Sequence, residues 1–135
     1  MVRRSPGTIG YLELLFAMQN DFPLGLVQNR AGEYIKASLK SVTAAAADAS
    51  AETPDDVLPY SITDAPGKDA YPISGTVWAV IYVNQPADKG QAVVGFLRWV
   101  THDGQQYAEA LHYSRLPQEL VERVEKKLAE VKVGK

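Results

Sequence analysis

The sequence predicts an α/β domain, a mixed sheet flanked by helices, and three observations carry that prediction. Val77, Trp78, Ala79, Val80, Ile81, Tyr82 and Val83 form a near-continuous apolar run, as expected of a strand covered on both faces. Ala92, Val93, Phe96, Leu97 and Val100 recur at helical spacing, and Leu120, Val121, Val124, Leu128 and Val131 do so again. Strand-like and helical segments that alternate along one chain belong to layered α/β architecture.

The elements follow in order. Thr8 to Leu12 reads as a short buried strand, preceded by turn chemistry at Gly7. Glu13 to Asn20 reads as a short helix, with Leu14, Leu15 and Met18 on one face and Asn20-Asp21-Phe22-Pro23 as its stop. Leu26 to Asn29 predicts a small strand, Asn29-Arg30-Ala31-Gly32 a turn, and Tyr34-Ile35 a return strand. Ser38 is placed to cap a helix to about Ala47 whose apolar face is Leu39, Val42 and Ala46. Residues 49–70 are rich in Asp, Pro, Ser, Thr and Gly and read as loop, interrupted by a short strand at Tyr60-Ser61-Ile62-Thr63. Gly75 to Val83 is the clearest strand and Asp88 to Thr101 the clearest helix. Asp103-Gly104 breaks that helix, and Gln105 to Leu111 reads as another. Pro117 opens the last helix at a position where its missing N–H costs nothing. Glu119 near its start and Lys126 and Lys127 near its end complement the helix dipole.

Composition bounds the function. The chain has 135 residues, 46% hydrophobic and 22% charged, which suits one folded domain and not a disordered segment. Fourteen basic and 16 acidic residues leave a net charge of −2, without the basic field of a nucleic-acid binder. The basic clusters, Arg3-Arg4 and Lys126, Lys127, Lys132 and Lys135, read as solvated ends. Cysteine is absent, which excludes disulfides, thiolate catalysis and cysteine-based zinc sites. No segment approaches the ~20 apolar residues of a membrane helix. The first residues do not read as a signal peptide, so the chain as written is expected in the cytoplasm.

Few side chains carry candidate chemistry. Ser74-Gly75-Thr76 resembles an anion-binding loop, since small residues let backbone N–H groups approach an oxyanion and two hydroxyls add donors. The tripeptide leads into a strand and not a helix, so a plain turn is the favoured reading. His102-Asp103 are sequence neighbours and do not face each other on a helix; His102 reads as a helix-end polar residue. His102 and His112, the two histidines, match no common metal spacing. Asp64 to Asp69 lacks a calcium-loop pattern, Gly7 and Gly10 do not form a dinucleotide fingerprint, and no G-x-S-x-G elbow is present. No catalytic residue, metal site or cofactor is expected.

Four blocks, in order, resemble a known family. They are Ser5-Pro6-Gly7-Thr8-Ile9-Gly10-Tyr11-Leu12-Glu13 with Ala17-Met18-Gln19-Asn20; Asn29-Arg30-Ala31-Gly32 with Ser38-Leu39-Lys40-Ser41-Val42; Asp69-Ala70-Tyr71-Pro72-Ile73 leading to Val77-Trp78; and Phe96-Leu97-Arg98-Trp99, His102-Asp103-Gly104-Gln105, and Tyr113 through Leu116-Pro117. Each block is weak alone; together they resemble the C-terminal portion of the phosphate-binding proteins that feed the phosphate ABC transporter.

The resemblance implies part of a type II periplasmic-binding-protein fold. Residues 1–48 would belong to the second lobe, 49–70 to a crossover and 71–135 to the return to the first lobe. It also implies that the family's phosphate-gripping loop, with its Arg and Asp, lies upstream. Ser74, Gly75 and Thr76 align elsewhere, so no family phosphate ligand carries over. The expected function is that of a fragment of a solute receptor, without full phosphate affinity and not an enzyme. The alternatives are a dimerising interaction module and a small ester or phosphate hydrolase. The parent would be periplasmic or at the cell surface, with inorganic phosphate and a transporter permease as partners. A sheet without its N-terminal strands has open edges, so the isolated chain is expected to repack or to form a homo-oligomer.

Overall fold

The computed structural model describes residues 4–56, 58 and 60–134. Arg3 and Lys135, members of the two basic ends, lie outside the described residues, as do Val57 and Pro59 within the expected crossover. Among the described residues the α-helices and strands are α1 (Leu14–Gln19), β1 (Leu26–Gln28), β2 (Tyr34–Lys36), α2 (Leu39–Glu52), β3 (Asn84–Gln85), α3 (Gly90–Thr101), α4 (Gln118–Ala129) and β4 (Lys132–Val133). The chain is α/β in character, but its strands form two separate two-stranded sheets.

β1 and β2 are the expected hairpin, antiparallel with Val27 opposite Ile35. Gly32 closes its turn at φ 86°, a left-handed conformation that glycine adopts without strain. Asn29 then fastens the hairpin to the body. Its side-chain Nδ2 lies 3.1, 2.9 and 3.1 Å from the carbonyls of Gly67, Lys68 and Ala70, and its Oδ1 accepts from the N–H groups of Ala31 and Glu33. One buried amide thus joins a turn to a loop about forty residues away.

α2 begins as expected and ends later. Ser38 accepts from the N–H of Ser41 at 3.1 Å, and the Ser41 hydroxyl receives the Ser38 N–H at 3.0 Å, a reciprocal capping box. The helix continues past Ala47 to Glu52. Its buried face is Ser41, Ala45, Ala46, Ala49 and Ser50; of the expected Leu39, Val42 and Ala46 it includes Ala46, while Leu39 and Val42 are half-buried. The alanines let the 60–70 loop lie directly on the helix. Ile62, Ala65 and Ala70 pack there, with Tyr60 alongside. The approach at Gly67 is so close that a Cβ there would overlap the Asp48 carboxylate. The expected strand at residues 60–63 does not form; this segment gives its surface to α2 and not to a ladder.

α3 and α4 match their expected positions within two residues. Pro117 sits at the N-cap of α4 with φ −65°, one position before the first helical residue. Leu120, Val121 and Leu128 are buried as anticipated, and Arg123 is buried with them. On α3 the buried residues are Gly90, Val94 and Thr101, while Phe96 of the expected apolar stripe is 61% exposed. Residues 105–111 fold as parts of two 3₁₀ segments, Asp103–Tyr107 and Glu109–Leu111, and not as a continuous helix.

The two longest expected strands are the main corrections. Residues 8–13 and 74–82 each run without turn or bend, and neither belongs to a ladder. Only the end of the second run reaches a sheet, where β3 pairs parallel with β4 through Asn84 opposite Lys132. A strand forms only when another segment supplies hydrogen-bonding partners, and these two apolar runs have none among the described residues. The burial pattern reflects this. Among the described residues six of the eleven buried apolar ones are alanine, whereas Ile9, Tyr11, Val77, Val80 and Tyr82 are at least 85% exposed.

Candidate functional site

The Ser74-Gly75-Thr76 segment does not present a loop of convergent donors. The Ser74 hydroxyl is buried and donates to the Tyr71 carbonyl at 2.8 Å. Its own carbonyl accepts from the Thr63 hydroxyl at 2.9 Å. Ser74 therefore closes a local turn, the plainer of the two sequence readings. Gly75 is exposed, with open space around its α-carbon. The Thr76 hydroxyl is buried without a protein hydrogen-bond partner among the described residues, and its surroundings are mainly apolar. It lies at the wall of a cavity of about 430 Å³ between the 76–83 run and the α3 and α4 helices, lined by Trp78, Ile81, Leu97, Val100, Leu120 and Leu128 among others. The wall also carries Thr101, Lys127 and Glu130, and the Lys127 ammonium is paired with the Glu130 carboxylate at 3.0 Å.

His102 is the C-cap of α3, the helix-end position that the sequence implies. Its Nδ1 lies 3.0 Å from the Arg98 carbonyl, 3.1 Å from the Thr101 hydroxyl and 3.7 Å from the Glu125 carboxylate. Glu125 also meets Arg98 at 3.5 Å. In a nucleophile–histidine–acid relay the hydroxyl and the carboxylate occupy opposite ring nitrogens. Here both gather at the same nitrogen, and the arrangement ties α3 to α4 without forming a relay. Asp103 starts the following 3₁₀ segment. Among the described residues no cluster of three or more metal-ligating side chains occurs, and no helix is long and apolar enough to cross a membrane.

The densest polar constellation was not legible in the sequence. Arg123, on α4, points into the C-terminal end of α2. It donates to the carbonyls of Ser50 at 2.7 Å, Thr53 at 2.7 Å and Pro54 at 2.9 Å. Asp55 pairs with it at 3.3 Å, and the Tyr60 ring lies 5.7 Å from its guanidinium carbon. The last carbonyls of a helix lack intrahelical donors and carry its negative dipole end. A guanidinium with five fixed donors satisfies several at once. Helical spacing marks position 123 only as a polar residue beside the stripe, and the seventy intervening residues hide its partner. These partners make Arg123 a structural group; its donors are turned to the protein's own carbonyls.

Comparison with known proteins defines the class. No catalogued protein-family pattern matches the chain. Individual relatives do, among them several phosphate-binding proteins. The chain is 36% identical over 126 residues to the phosphate-binding protein PstS of Xylella fastidiosa, covering 92% of this chain and 34% of that protein. It is 31% identical over 121 residues to PstS of Pasteurella multocida, and 28% identical over 116 residues to PstS of the archaeon Methanocaldococcus jannaschii. The chain is thus a relative of the PstS phosphate-binding proteins. It spans about a third of the length of the curated relatives it matches, consistent with the C-terminal portion that its sequence blocks imply.

Proposed function

We propose that the chain is the C-terminal portion of a phosphate-binding solute receptor for ABC-type phosphate import, and that it holds little phosphate by itself. The observation that carries this reading is the match to PstS proteins over 92% of the chain but only 34% of the relative. The sequence blocks that carry the resemblance include none of the family's phosphate ligands, and Ser74, the first residue of the one anion-loop candidate, spends its hydroxyl on a local turn. In this reading residues 1–48 derive from the second lobe, 49–70 from the crossover and 71–135 from the first lobe. The parent is a receptor outside the cytoplasmic membrane, with inorganic phosphate and the transporter permease as its partners. The chain's own role is non-catalytic.

Two measurements test it. Calorimetric titration of the 135-residue chain with inorganic phosphate is expected to give no saturable heat. A chimera that joins the remaining two-thirds of the Xylella relative to this chain is expected to bind phosphate. Saturable binding by the chain alone would show that it holds an anion site of its own, and Ser74 and Thr76 would then be substituted first. A folded chimera without phosphate affinity would count against descent from a receptor.

A second reading is a dimerising interaction module. It is favoured by the apolar run 75–83, where Val77, Val80 and Tyr82 are 89%, 95% and 85% exposed. Soluble monomers seldom expose contiguous apolar surface on this scale.

A further inference from the structure

No further inference is drawn: the strongest candidate, the uncharged apolar edge of residues 75–83 leading into the β3–β4 sheet, is an unpartnered face, and in a chain that spans about a third of the length of its relatives nothing in the structure shows what covers it.

Discussion

The segment from Ser38 to Ser74 and the segment from Gly75 to Val83 are neighbours in sequence and opposites in structure. The first holds α2, the loop lying on it and the buried alanine cluster, and its polar groups are joined across long sequence distances. Asn29 clamps it from one side and Arg123 from the other. The second contains larger apolar side chains, yet it leaves Val77 and Val80 almost wholly in solvent. The difference shows that hydrophobicity alone does not place a segment inside. α2 satisfies its backbone within itself and needs only a surface to lie on. The 75–83 run needs hydrogen-bonding partners along its edge before its side chains can be buried. The same holds for residues 8–12, where Ile9 and Tyr11 are fully exposed.

The comparison can be broken most directly at Arg123. Arg123→Ala leaves the carbonyls of Ser50, Thr53 and Pro54 without their donor. We expect a loss of about 2–4 kcal/mol in chemical denaturation, from charged hydrogen bonds and from the buried stem. Arg123→Lys should recover less than half of it, because an ammonium cannot span three carbonyls with a fixed fork. Asn29→Ala should cost about 1–3 kcal/mol, the penalty for buried carbonyls left unpaired. Its signature is early exchange of the Ala31 and Glu33 amide protons. Ser38→Ala removes one half of the capping box and should cost about 1 kcal/mol, read as a lower melting temperature. The contrast is sharpened by Val80→Thr, expected to change the stability of the monomer by no more than about 0.5 kcal/mol. A loss above that range would mean that the run is packed in solution and that the two regions are less different than their exposure indicates.

Helical segments were the legible part of the fold. α1, the hairpin, the Ser38 cap, α3 and α4 all lie near their expected positions, because capping and helical periodicity act within a few residues. The faces were read less well. On α2 the buried side is the Ser41, Ala45 and Ala49 row, chosen by what the 60–70 loop packs against. On α3 Phe96 belongs to the helical stripe but faces solvent. Of the candidate site residues, Ser74 bonds within a local turn and His102 ends α3. Arg123 gave no local signal.

By itself the sequence determined the helices, the hairpin and its turn, the α/β character and the kinship with phosphate-binding proteins, because each is written in short-range periodicity or in ordered blocks along the chain. Only the tertiary structure decided which apolar segments are buried, which helix end receives Arg123, and that the 8–12 and 75–83 runs stand without a ladder among the described residues. These depend on partners distant in sequence, and a strand, unlike a helix, cannot satisfy its own backbone.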